Sequence, residues 1–435
     1  MKFVSFILLL LLFIPYGISG QVTDSLLQPR ERMEPQNQVL MERFQKLLPR
    51  LMKESGIDCW LIICREYNED PVFFTLMPAG TLSARRLTML AFFSNENGQV
   101  DRLSISPYDI GGFYRGVWNK EKEGQWEALI RLISERKPTR IGVNRSHDYA
   151  HADGLSAQLE KGLLDQMPDD QKSKVVNAEP LCVRWLETRL PSEEKIFKQV
   201  VSYTRALIAR AFSAEQIQPG VTTVSDLQWW MRSEMDKEGV VPWFFPHVDR
   251  KSRHDSDLSA SGVILAGDFL HCDVGVIYMG LCSDIQELAY VCRRGESDVP
   301  EQLKAGMKAA NDFQDLVSSE LILGRTGNEI LKASLKRAAK EELDGVSLYS
   351  HPLGVHGHAA GPTIGMWDNQ NGLPGHGDWR LYPDTAYALE LNVTQTVPGW
   401  AGQVRFGLEQ DIWVSETGMR YIAGRQIQYH VIKFE

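Results

Sequence analysis

Ten histidines are spread over 435 residues, yet His351, His356 and His358 all fall within the stretch YSHPLGVHGHAAGPTIG, residues 349–365. Imidazole changes charge near neutral pH and is the commonest protein metal ligand, so the cluster points to proton transfer or to metal binding. Four acids are its candidate partners. Asp273 and Asp284 lie in the apolar segment GDFLHCDVGVIYMGLCSDIQELAYVC, and Glu390 and Glu409 in TAYALELNVTQTVPGWAGQVRFGLEQDIWVSETG. A turn centred at Tyr278-Met279 would make the first segment a hairpin with Asp273 opposite Asp284. A turn centred at Gly399-Trp400 would set Glu390 opposite Glu409. Like charges facing each other in apolar strands are destabilising unless something positive lies between them. Four carboxylates and one imidazole suit two hard or borderline divalent cations. Two such ions would offset the four charges and make a shared water acidic near neutral pH.

The elements that must carry these residues repeat. SEEKIFKQVVSYTRALIARAFSAEQIQPG predicts a helix capped by Ser192 and ending at Pro219-Gly220, and VSDLQWWMRSEMDKEG predicts a second. EQLKAGMKAANDFQDLVSSELILG, ending at Gly324, and TGNEILKASLKRAAKEEL, opened by a Thr326-to-Glu329 capping box, echo that pair. A β-rich segment with one acidic pair follows each helix pair. The pattern predicts a domain of two related halves over residues 187–435. Before it, residues 37–186 alternate helix and strand. Leu40, Phe44, Leu47, Leu48 and Leu51 form one helical stripe, and CWLIIC, LTMLAFFS and RIGVN read as strands of an α/β domain. The polar, aperiodic residues 21–36 read as a linker.

The composition limits what the chain can be. It is 43% hydrophobic and 24% charged, as in ordinary globular proteins. A net charge of −9 without a basic block argues against nucleic acid or an anionic membrane as the main partner. The opening MKFVSFILLLLLFIPYGISGQ has a basic start, an apolar core and a small-residue cleavage region, the layout of a signal peptide over residues 1–20. The expectation is an exported protein, periplasmic or secreted, with no membrane contact beyond that segment. Six cysteines in a chain of this length are not a disulfide framework, and they read mostly as small buried residues.

Taken together, the acids and the histidine resemble the pita-bread metallopeptidases, the family of methionine aminopeptidase, prolidase and aminopeptidase P. The resemblance covers residues 187–435. It rests on the ordered set Asp273, Asp284, His351, Glu390 and Glu409, with the first two eleven residues apart. It implies an α/β (α+β) fold, in which a creatinase-like N-terminal α/β domain precedes a pseudo-symmetric pita-bread catalytic domain. It implies five metal ligands: Asp273 on one ion, His351 and Glu390 mainly on the other, Asp284 and Glu409 bridging. The ions would be manganese by preference, with zinc, cobalt or iron compatible.

The implied activity is that of an exported dimetal exopeptidase. It would hydrolyse the Xaa-Pro bond at the N-terminus of peptides with proline at the second position, through a metal-bridging hydroxide, and act as a homodimer. Glu409 would also carry a proton to the leaving nitrogen. Two substrate-side histidines are implied: His358, seven residues after His351, and one before Asp273, for which His254 is the better match and His247 the competitor. Arg405 would pair with a carboxylate of the site or of the substrate. An Xaa-Pro dipeptidase is the alternative, and a creatinase-like amidinohydrolase or a non-catalytic binding protein are further ones. The chain departs from the family where Glu390-Leu391-Asn392 replaces EPG, where SDIQELAYV lacks Thr-Arg, and where GHGDWRLYPDT looks inserted. His356 has no role in this scheme. Gly354, Gly357 and Gly361 fit a backbone pressed close to metal and substrate.

Overall fold

A computed structural model describes residues 26–434, so the segment read as a signal peptide lies outside the described residues. Six strands form the first sheet: β1 (Cys59–Cys64), β2 (Thr88–Ser94), β3 (Val100–Ser104), β4 (Arg115–Gly116), β5 (Ile141–Val143) and β6 (Val175–Asn177), in the order β4-β3-β2-β1-β5-β6. The CWLIIC run is β1, buried at every position, which explains why it shows no alternation. The leucine stripe packs on this sheet: Leu40, Phe44, Leu47, Leu48 and Leu51 share one hydrophobic cluster with Trp60 and Phe92.

The expected linker is corrected in part. From Pro29 the chain is helical, over Pro29–Glu42, a π turn Arg43–Leu47, and Leu48–Ser55. Pro29 at the first helical position and Glu31, which accepts from the Gln28 N–H, start the helix. Tertiary contact holds it. The buried Arg32 guanidinium donates to the Leu27 and Glu238 carbonyls at 2.6 and 2.7 Å, and lies 4.9 Å from the Tyr278 ring centre. The low hydrophobicity of this stretch hid a helix anchored by one arginine.

The remaining strands are β7 (Val241–Pro242), β8 (His247–Lys251), β9 (Phe269–Val274), β10 (Val276–Tyr278), β11 (Leu281–Cys282), β12 (Ile285–Val291), β13 (Val346–Leu348), β14 (His351–Leu353), β15 (Thr385–Thr396), β16 (Gln403–Ser415), β17 (Gly418–Tyr421) and β18 (His430–Ile432). A nine-stranded sheet runs β13-β15-β16-β12-β9-β8, with β14 on β15, β17 on β16 and β18 on β12; β11-β10-β7 form a small separate sheet.

The repeated helix pairs flank this sheet. They span Pro191–Ala211 with Val224–Lys237, and Glu301–Glu320 with Gly327–Lys340. The second helix of each pair opens on the same device, Thr223 with Asp226 and Thr326 with Glu329. Each is preceded by a glycine in the left-handed region, Gly220 and Gly324. The echo in the sequence is therefore a structural repeat. Three helix bounds differ from expectation. The first cap is Leu190 with Pro191 at the first position, and that helix ends at Ala211, where Phe212 turns out of helical geometry and packs into the core. The third ends at Glu320 rather than at Gly324. All six cysteines are buried and free. Among the described residues no helix is long and apolar enough to cross a membrane.

Candidate metal centre

The acids converge because four central strands, β15, β16, β12 and β9, run side by side. On β15 and β16, Glu390 faces Glu409 directly, as the turn position predicts. On β9 and β12 the register differs from expectation. The turn residues are Met279 and Gly280, both at positive φ, and Tyr278 faces Leu281. Asp273 therefore faces Gln286, and Asp284 lies two residues before that partner. A shift of two preserves the face, so both aspartates still point the same way. Gln286 also faces Glu409 across β16, which puts its side chain at the middle of the acidic group.

Two sides of the group differ. Ligand atoms of Asp284, His351 and Glu409 all lie within 4.8 Å of one another, and all three residues are buried. His351 Nε2 is 3.5 Å from Asp284 Oδ2 and from Glu409 Oε1. Its Nδ1 lies 3.2 Å from the Pro352 carbonyl, which can only accept, so Nδ1 carries the hydrogen and Nε2 is left to point at the acids. His351 Nε2, Asp284 Oδ1, Glu409 Oε1 and Asp273 Oδ1 are buried and have no hydrogen-bond partner. Orphaned polar atoms that converge in this way fit a cation. The backbone N–H of Asp284 donates to Asp411 Oδ2 at 3.1 Å, which fixes the aspartate. On the other side, Gln286 Nε2 lies 2.8 Å from Glu409 Oε2, 3.0 Å from Glu390 Oε1 and 3.4 Å from Asp273 Oδ2.

The electrostatics agree with an unmet need for positive charge. Burial first, then the neighbouring carboxylates, push Asp273 and Glu409 well above the usual carboxylate range. Burial likewise raises Asp284, Glu390 and Asp411. A cavity of about 500 Å³ adjoins the group, lined by His247, Asp273, Gln286, Tyr349, Glu390 and Arg405 among others.

No family model matches the chain. A protein of Mycoplasma pneumoniae provisionally named Xaa-Pro aminopeptidase is 29% identical over 147 residues, which is 32% of this chain and 40% of that protein. The chain thus matches about two fifths of that curated relative. Among solved structures, the X-Pro aminopeptidase of Thermotoga maritima superimposes with a TM-score of 0.63 at 17% identity, covering 88% of this chain and 99% of that one. The Xaa-Pro dipeptidase of Bacillus anthracis gives 0.58 at 20% identity, covering 93% and 100%. The fold is that of the pita-bread peptidases.

On this pita-bread framework the predicted residues separate. Asp273, Asp284, His351, Glu390 and Glu409 come together. His358 is exposed, with its ring 4.7 Å from the His351 ring. Arg405 lines the cavity but makes no ion pair with the acids of the site. His254 does not reach the site: it stands on an exposed turn after β8 and is not among the cavity-lining residues. Its competitor His247 is on β8, directly opposite Asp273, and lines the cavity. The pairing of β8 with β9 decides between them.

His356 turns inward to the first part of the chain. Its ring packs 4.5 Å from that of His151, and burial, then His151 and Arg189, hold its pKa down at about 4. The apparent insertion packs there too, with the His376 ring 4.4 Å from that of Tyr149. The nearby glycines press against other parts of the chain rather than against the acidic group: a Cβ at Gly357 would fall 2.3 Å from the Trp243 ring, and one at Gly361 2.7 Å from Glu187 Oε2.

Sequence reasoning missed Gln286, His271, Asp249 and Asp411. Asp411 holds the Asp284 backbone, and the other three form a supporting chain with His247. His247 Nε2 is 3.0 Å from Asp249 Oδ1, Asp249 Oδ2 is 3.5 Å from His271 Nδ1, and His271 Nε2 is 2.9 Å from Gln286 Oε1. Burial alone would raise Asp249, but the hydrogen bond with His247 and the nearby His271 ring hold it well below the usual carboxylate range. A signal existed: His271 and Gln286 each stand two residues from a predicted ligand, hence on the same face of the strand.

Proposed function

We propose that this chain is an exported, metal-dependent exopeptidase that cleaves the Xaa-Pro bond at peptide N-termini. One observation carries the reading: Asp284, His351 and Glu409 converge in a buried cluster whose facing atoms have no partner in the chain. Their neighbours Asp273, Gln286 and Glu390 line the cavity of about 500 Å³. The names of the structural neighbours and of the short curated match support the substrate class. The apolar start of the chain supports export. The division into an N-terminal domain over 37–186 and a catalytic domain over 187–435 belongs to the same proposal, as does a homodimer.

A divalent ion held by Asp284, His351 and Glu409, with manganese preferred, would polarise the scissile carbonyl and acidify a water. The chain supplies the rest. Pro352 orients His351 through Nδ1, and Asp411 orients Asp284 through its backbone. Glu409 is placed to carry a proton to the leaving nitrogen. His358, beside His351, is placed to donate to the oxyanion. Arg405 and His247 at the cavity wall can bind a substrate carboxylate or carbonyl.

The test is hydrolysis of Xaa-Pro dipeptides, longer Xaa-Pro peptides and Xaa-Ala controls by the purified chain with added manganese, cobalt or zinc. Cleavage of the longer peptides that chelator abolishes is expected. Cleavage of dipeptides alone would make the protein a dipeptidase, and cleavage of none would leave it a binding protein.

A further inference from the structure

The two sides of the acidic group are not equivalent, and the difference lies in one side chain. Gln286 sits on the central strand, with Asp273 as its direct neighbour across β9 and Glu409 across β16. Its Nε2 reaches Glu409, Glu390 and Asp273 at 2.8, 3.0 and 3.4 Å. Three carboxylate oxygens from three residues thus converge on one nitrogen, the arrangement they would make around a cation. The orientation of the amide follows from chemistry: three carboxylate oxygens require a donor, so the N–H groups face them and Oε1 faces His271 Nε2 at 2.9 Å. The amide is held there. His271 is buried and backed by Asp249. Gly407 makes room for the pair, because a Cβ at that position would come 3.0 Å from both Gln286 Oε1 and His271 Nε2. No comparable donor serves the opposite side, where Asp284 Oδ1, Glu409 Oε1 and His351 Nε2 are all unpartnered; on the Gln286 side one carboxylate oxygen, Asp273 Oδ1, is left without a partner.

We infer that this centre holds one divalent ion, at Asp284, His351 and Glu409, and that the Gln286 carboxamide closes the position where the resemblance leads one to expect a second. The inference rests on the metal-centre reading above. It makes Gln286 a positioning residue: its two N–H hydrogens serve Glu409 and Glu390, and the same nitrogen stands 3.4 Å from Asp273 Oδ2, in the space that ion contacts would otherwise fill. The residues that replace the family's Thr-Arg are then a change in metal count rather than incidental drift.

Counting ions tests this independently of activity. The full chain is stripped with chelator, equilibrated with Mn²⁺ alone and freed of loose ion by gel filtration. Bound manganese is then measured per chain, and its paramagnetic resonance spectrum recorded. Wild type is expected to keep one equivalent with the spectrum of an isolated ion. Gln286→Ala and the smaller polar Gln286→Thr are expected to keep two, with a spectrum broadened or attenuated by coupling; circular dichroism checks that each is folded. Two equivalents in wild type would overturn the inference, as would one in both folded variants. A folded variant that keeps fewer ions than wild type would show that the amide oxygen is a ligand, and would overturn it too. No ion in folded wild type would instead remove the metal-centre reading itself.

Discussion

Glu187 and Glu193 are buried in ion pairs with arginines, whereas Asp273, Asp284, Glu390 and Glu409 are packed together with no arginine in ion-pair contact, Arg405 standing at the cavity wall. Near residues 184–193, Arg189 Nη1 lies 2.8 Å from Glu193 Oε1, Arg43 Nη1 3.0 Å from Glu193 Oε2, and Arg184 Nη1 2.5 Å from Glu187 Oε1. In the centre, among the described residues, the four acids make no ion pair with lysine or arginine; His351 and the Gln286 amide are what the chain offers. Both regions bury charge, and burying an unpaired charge is costly. The first region offsets most of the cost with cations of its own chain, though Glu187 Oε2 keeps no hydrogen-bond partner, so it is structural. The second leaves it open to something from outside, which is what a metal site must do.

The two regions should respond to mutation in opposite ways. Arg189→Met removes one of the two cations on Glu193 and should destabilise the protein by roughly 3 kcal/mol, read from the urea midpoint, with metal uptake by the remaining folded chain unchanged. An effect on metal uptake and none on stability would erase the contrast. Glu409→Gln should do the reverse. It relieves buried repulsion, so the metal-free protein should be at least as stable as wild type. Peptide hydrolysis should fall by about 10³-fold, and the stabilisation that manganese gives wild type, about 2.7 kcal/mol at a hundred times Kd, should vanish from thermal melts.

Acidity offers a finer comparison. Burial pushes Glu187 up to about 7 despite Arg184 and Arg189. Between the ordinary glutamate value and 7 the folded chain binds the extra proton, so stability falls as pH rises through that window and the loss is complete above it. Glu187→Gln should remove this slope. At pH 8 the variant should be more stable than wild type by about 1–3 kcal/mol, and at pH 4 nearly equal to it. Identical pH profiles for the two proteins would show that Arg184 fully compensates the charge. The smallest effects separate two histidines. His247→Ala should lower kcat/KM about tenfold through Asp249 and His271. His254→Ala, on an exposed turn, should stay within about twofold. Equal losses from both would place His254 closer to substrate than its turn does.

Much of the site was legible because the hairpins are local. The register of β15 with β16 follows from a turn whose Pro398-Gly399 is a plain signal, and Glu390 meets Glu409 as expected. The other hairpin misled because its turn puts Met279 at positive φ, where asparagine or glycine is the usual marker. The strand period of two kept the aspartates on one face despite that error. Gln286 was passed over as a missing threonine, although its position two residues from Asp284 places it in the cluster.

By itself, the sequence determined the five acid and imidazole groups, the twice-used helix pair with its threonine caps, and the burial of the cysteines. These depend on neighbours along the chain: turn chemistry, capping and strand alternation. Only the tertiary structure decided which histidine before Asp273 reaches the cavity, that residues 29–36 are helical and pinned by Arg32, and that Gln286 reaches three carboxylates. Each of these depends on strands or helices distant in sequence coming side by side, and no local period encodes which of them will meet.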